Sequence, residues 1–135
     1  METTSATKRI ILVDDDVITN LINTKIITMN TPHKVEAFTN GNEALEQIYN
    51  GLDKSADKFP DIIFLDINMP VMDGWEFLEQ FEKIPLATRR KCSVFLLTSS
   101  IDSEDIEKSK THQSVCDFIS KPLTANKIKT LKNTP

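Results

Sequence analysis

The chain has 135 residues, 39% hydrophobic and 27% charged. It is long enough for one domain burying about two thirds of its unfolded surface, and too ordinary in composition for a disordered or fibrous protein. Its net charge of −4 removes the broad basic field of a non-specific nucleic-acid binder, and its longest apolar runs fall far short of the roughly 20 residues of a membrane span.

Residues 1–7 lack the basic and apolar parts of an export signal. Cys92 and Cys116 fit neither a disulfide framework nor a zinc spacing, which points to reducing cytoplasm with both thiols in or near the core. Residues 9–13 (RIILV) form a short, β-branched apolar run, the pattern of a strand covered on both faces. It stops at Asp14-Asp15-Asp16. Ile18, Leu21, Ile22, Ile26 and Met29 then recur near helical spacing with Thr19, Asn20, Asn23 and Thr24 opposite. This predicts a helix with the aliphatic set turned inward, closed near Asn30 and Pro32. Residues 34–38 read as a second strand, and Asn40-Gly41-Asn42 as a turn and cap before a helix burying Ala44, Leu45, Ile48, Tyr49 and Leu52. Residues 50–60, with Gly51, scattered charges and Pro60, read as a surface loop. Ile62-Ile63-Phe64-Leu65 is the most buried-looking strand and ends in Asp66. A loop through Asn68 and Gly74 leads to a third helix lined by Trp75, Leu78, Phe81 and Ile84. Residues 93–97 form a fourth strand stopping at Thr98, and Ser103 caps a fourth helix running to about His112. Residues 115–119 form a fifth strand followed by Ser120-Lys121-Pro122, and Thr124 caps a last helix with Ile128 and Leu131 inward. His33 and His112 read as solvated side chains.

Strict β/α alternation with room for crossover helices implies an α/β fold, a five-stranded parallel sheet covered on both faces. With right-handed crossovers the common doubly wound, flavodoxin-like order is 2-1-3-4-5, and the ligand crevice opens at the carboxyl ends of the strands. A flexible segment over residues 1–7 and a single domain over residues 8–135 follow.

In that order the first and third strands are neighbours, so Asp14 and Asp15 converge with Asp66, while Thr98 and Lys121 stand across the crevice. A lone Asp after a strand reads as a helix cap, and a lone Thr or Lys as a strand-end or solvated side chain. Their joint placement at four strand ends exceeds those roles. Three gathered carboxylates repel one another, and either a bound hard cation or protonation of one group relieves this. Mg²⁺, which takes one or two protein carboxylates plus waters and phosphate oxygens, fits best. The hydroxyl and ammonium offer one donor and one point charge to a phosphoryl group.

The segments ILVDDD (residues 11–16), FLDINMPVMDGWEF (64–77), FLLTSS (95–100) and DFISKPL (117–123) closely resemble the response-regulator receiver domain of two-component signalling. The resemblance spans the chain from Lys8 onward. It implies that Asp66 accepts a phosphoryl group from a phosphohistidine on a histidine kinase or histidine phosphotransfer protein. It also implies that Asp15 and Asp66 ligate Mg²⁺ with the backbone carbonyl of Asn68, Asp14 acting largely through water. By the same resemblance Thr98 and Lys121 hold the phosphoryl oxygens, Phe118 rotates inward on activation, and the Lys121–Pro122 peptide is cis. The expected molecule is a stand-alone receiver that catalyses only its own phosphorylation and dephosphorylation. It would switch a binding surface made by the fourth helix, fifth strand and last helix for a downstream protein. Phe118 stands where the family often has tyrosine, which implies a switch by packing, and Asn68 and Ser100 stand where side chains govern water access to the phosphoryl group.

A relay intermediate and a phosphorylation-independent interaction module are alternatives within the same fold. A small haloacid-dehalogenase-like phosphatase would want a second Asp two residues beyond the nucleophile, where this chain has Asn68. A flavodoxin-like FMN carrier would need a phosphate loop after the first strand, and that loop is acidic.

Overall fold

A computed structural model describes residues 7–52, 59–99 and 101–132. Most of the expected N-terminal segment, part of the expected loop before Pro60, and Ser100 lie outside the described residues. Five strands, β1 (Arg9–Val13), β2 (Lys34–Phe38), β3 (Ile62–Asp66), β4 (Ser93–Thr98) and β5 (Val115–Ser120), form one sheet in the order β2-β1-β3-β4-β5. Every neighbouring pair is parallel. The helices are α1 (Val17–Asn30), α2 (Gly41–Leu52), α3 (Gly74–Phe81), α4 (Leu86–Arg89), α5 (Ser103–Ser109) and α6 (Ala125–Lys132).

The near-continuous apolar strands follow from cover on both faces, because successive side chains point to opposite sides. Ile11, Val13, Ile63, Leu65, Val94 and Leu96 enter one core with α2 and α3, where Phe77 and Phe81 are fully buried. Ile10, Leu12, Phe64, Phe95 and Leu97 enter the other with Ile27 of α1 and Ile128 of α6. Side chains cap the helices where backbone N–H groups lack helical partners. Asp16 accepts from Ile18 and Thr19, and Asn40 from Glu43. Asp73 and Glu76 form a capping box, and Thr124 accepts from Lys127.

The structure corrects several expectations. α1 is rotated, with Asn20, Asn23 and Ile27 buried while Val17, Ile18, Leu21, Ile22 and Met29 are 53–75% exposed. Of the predicted inward set, Ile18, Leu21, Ile22 and Met29 therefore face outward, and Ile26 packs, partly buried, against the core. α2 runs on through Leu52, and Tyr49 is exposed, its hydroxyl donating to the Gln80 carbonyl at 2.7 Å. α4 was not expected, and Asp102 rather than Ser103 caps α5 by accepting from the Asp105 N–H. Cys92 is buried but Cys116 is exposed. Neither histidine is merely solvated: His33 Nδ1 accepts from the Lys8 N–H, and His112 is paired.

That pairing fastens the segment after α5 to the end of α3. His112 Nδ1 lies 2.7 Å from Glu82 Oε1, and Glu82 Oε2 accepts from the Ser114 hydroxyl at 2.5 Å and its N–H at 3.2 Å. The imidazole stacks on Trp75, ring centroids 5.7 Å apart. Burial alone would raise the Glu82 pKa, but the hydrogen bonds from Ser114 and His112 outweigh it and hold the carboxyl below its ordinary 4.5. A carboxyl lowered by folding contributes stability that is complete above its unfolded pKa and lost as pH falls through the folded value. Glu82→Gln is therefore expected to cost about 1–2 kcal/mol near neutrality, as charged hydrogen bonds become neutral ones. In urea titrations the deficit should shrink once pH drops below 4.5. A deficit that persists in acid would mean that the carboxylate charge is irrelevant to this contact.

Candidate functional site

The carboxyl ends of β1, β3 and β4 and the turn after β5 lie at one end of the sheet, as parallel strands in the order β2-β1-β3-β4-β5 require. Asp14 and Asp15 directly follow β1, and Asp66 is the last residue of β3. One carboxylate oxygen from each of Asp14, Asp15 and Asp66 lies within 4.8 Å of the others. Asp14 and Asp66 are buried and Asp15 is exposed, so the cluster opens to solvent on the Asp15 side.

Lys121 reaches into the cluster from beyond the carboxyl end of β5, the edge strand. Its Nζ lies 2.9 Å from Asp14 Oδ2 and 3.3 Å from Asp66 Oδ2. Its backbone N–H donates to the Thr98 carbonyl at 2.8 Å, and the following peptide bond, to Pro122, is cis. The Thr98 side chain is wholly buried at the end of β4. Asp14 Oδ1 accepts from the Asp16 N–H at 2.9 Å and Asp66 Oδ1 from the Asn68 N–H at 3.0 Å.

Burial pushes the Asp66 carboxyl above its ordinary range. The Asn68 N–H opposes this, the Asp14 charge adds to it and Lys121 pulls the other way. Burial also works against the Lys121 charge, but the hydrogen bond to Asp14 and the charges of Asp66 and Asp14 raise its pKa overall. One ammonium among three carboxylates leaves the site short of positive charge. An all-oxygen, partly open cluster of this kind suits a hard divalent cation.

Of the residues singled out from sequence, Asp14, Asp15, Asp66 and Lys121 are brought into mutual reach, and Thr98 is tied to Lys121 through the backbone. The Asn68 side chain is exposed while its N–H orients Asp66. Phe118 is half-buried on β5, in a surface groove with Ile101 and Ile106 rather than in the acidic cluster. Sequence reasoning missed Asn20, which it set on the solvent side of α1. The signal was present in the polar residues Asn20 and Asn23, which share the helix side of Ile27.

Residues 10–132 match the family described as the response regulator receiver domain. The chain belongs to that family. This receiver is accordingly a phosphoacceptor module of two-component signalling. A solved two-component response regulator from Cytophaga hutchinsonii is 37% identical with a TM-score of 0.81, over 95% of this chain and 96% of that one. Chemotaxis protein CheY of Bacillus subtilis is 27% identical over 89% of the receiver and 90% of CheY. Histidine kinase CKI1 of Arabidopsis thaliana is 31% identical over 93% of the receiver, which spans only 12% of that kinase's length. Among the described residues no helix of the receiver is long and apolar enough to cross a membrane.

Proposed function

We propose that Asp66 carries the phosphoryl group and that Asp15, Asp66 and the Asn68 carbonyl hold Mg²⁺, with Asp14 acting largely through water. The observation that carries this reading is the Lys121 ammonium between Asp14 and Asp66, with the Asp15 carboxylate alongside and open to solvent. Bound Mg²⁺ would neutralise charge on the carboxylates and on phosphoryl oxygens. Asp66 attacks phosphorus in line. The bond from phosphorus to the donor's imidazole nitrogen breaks, that nitrogen keeps the electron pair, and an aspartyl phosphate forms. Lys121 and the Thr98 hydroxyl stabilise the charge on the equatorial oxygens. The chain turns over no free substrate in this scheme.

The donor is a phosphohistidine on a histidine kinase or histidine phosphotransfer protein in the cytoplasm. The exposed aliphatic stripe of α1, beginning at Val17 beside the acids, supports a docking surface for it. On phosphorylation Thr98 is drawn toward the new oxygens and Phe118 turns into the space released. The groove between α5 and β5, lined by Ile101, Ile106 and Phe118, then changes shape for a downstream protein.

The test is an amide spectrum with Mg²⁺ and beryllofluoride, a phosphoryl mimic. Resonances of Thr98, Lys121 and Phe118 should move together, and a spectrum indifferent to both additions would reject the reading. In the same preparation Leu21→Glu should accept phosphoryl from acetyl phosphate as wild type does, yet lose transfer from a phosphohistidine protein. Equal transfer from that protein would remove α1 from the docking surface.

A further inference from the structure

Asn20 is 4% exposed on a helix whose aliphatic side chains largely face solvent. Burying a primary amide is unfavourable unless its hydrogen bonds are made, so its presence inside α1 calls for a specific role. Its Nδ2 donates to the Asp14 carbonyl at 2.9 Å and to the Phe38 carbonyl at 3.1 Å. The Phe38 carbonyl also accepts from the Asp14 N–H at 3.1 Å. One amide thus extends the β1–β2 ladder past its last register pair, Val13 with Phe38, at the point where β1 leaves the sheet. The other side of the amide gains nothing, since Asn20 Oδ1 is buried with no partner.

The carbonyl that Asn20 grips belongs to the peptide unit joining Asp14 to Asp15, and a peptide unit is planar. Holding its oxygen therefore sets the direction in which the chain enters Asp15. The Asp14 side chain is independently held by Lys121 and the Asp16 N–H. Asp15 is exposed, so the backbone entering it governs where its carboxylate stands. We propose that Asn20 is a positioning residue, which orients the Asp14–Asp15 peptide and thereby aims Asp15 at the cation site. This inference rests on the reading of Asp15 and Asp66 as Mg²⁺ ligands. Groups that orient metal ligands are typically worth 10- to 100-fold in metal affinity, and Asn20 acts at that remove.

The experiment is a Mg²⁺ titration of wild type and Asn20→Leu followed by backbone amide shifts, with melting curves taken in EDTA. Leucine keeps the forked outline of the side chain, is bulkier, and makes neither hydrogen bond. The expected result is Mg²⁺ affinity weakened by at least about tenfold. The Asp15 amide resonance should be displaced already in EDTA, and the metal-free melting temperature should fall by a few degrees while the fold is kept, since the Asp14 and Phe38 carbonyls lose a donor. Asn20→Ala, which crowds no neighbour, should weaken Mg²⁺ to a similar degree and serves if the leucine variant does not fold. Unchanged Mg²⁺ affinity in a folded variant overturns the inference and leaves the phosphoacceptor reading intact. A wild type that ignores Mg²⁺ overturns both.

Discussion

Asp66→Asn is expected to take up no phosphoryl group from acetyl phosphate in Mg²⁺, read as the added mass on the intact protein. The amide keeps the shape of the side chain but offers no anionic oxygen to attack phosphorus. Loss of reaction should not come with loss of fold. Asp66 is buried close to Asp14, and its raised pKa means that the folded protein disfavours its charge. Removing that charge should leave the melting temperature near that of wild type. Lys121→Met should still react, but on the order of a hundredfold more slowly, the usual effect of deleting one group that stabilises transition-state charge. EDTA should stop the wild-type reaction. Labelling of Asp66→Asn at the wild-type rate would mean that another nucleophile carries the phosphoryl group.

Gly74→Val should be the most damaging substitution to the fold next to the site. Gly74 opens α3, and its N–H donates to the Ile67 carbonyl at 3.2 Å. A Cβ there would lie 2.7 Å from Ile67 Cα and 3.0 Å from the Asp66 carbonyl oxygen. Both are backbone atoms, which cannot swing aside as a side chain can. The conflict is one of space, since no described glycine has positive φ. Either α3 must retreat from a core that contains Trp75, Phe77 and Phe81, or the end of β3 must move and take Asp66 with it. Overpacking of this kind costs about 3 kcal/mol when the neighbours are rigid. For a domain of this size that lowers the melting temperature by roughly 10 °C. The folded fraction that survives should also be slow in phosphoryl uptake, because Asp66 sits on the displaced strand end. A variant that melts with wild type would show that α3 can shift at little cost.

How much of this was readable in advance depended on the range of the interactions. β1, β3 and β4 were legible as short apolar runs, because a strand buried on two faces leaves no position for a polar residue except at its end, and the strand order followed from the β/α alternation with right-handed crossovers. The same rule exposed Asp14, Asp66, Thr98 and Lys121, each of which stands at or beside the place where such a run stops. Periodicity misplaces the rotation of α1 because Ile18, Leu21 and Ile22 outnumber Ile27, the one aliphatic among the buried residues Asn20, Asn23 and Ile27. Counting aliphatics presumes that a helix turns its greasiest side inward. Here Ile27 and the bonds made by Asn20 hold the opposite side to the sheet, and the stripe faces outward. The union of Glu82 with His112 and Ser114 joins segments some thirty residues apart, and no local pattern marks either end.

The amino-acid sequence by itself determined the α/β alternation, the strand order and the set of groups delivered to one end of the sheet. Tertiary structure alone decided that Lys121 lies between two particular carboxylates, that Asn20 grips the Asp14 carbonyl, and that α1 presents its aliphatic side to solvent. The first group of properties follows from periodicity and burial, which act along the chain. The second depends on hydrogen bonds and charges between residues far apart in the chain, whose distances exist only once the sheet has brought the strands together.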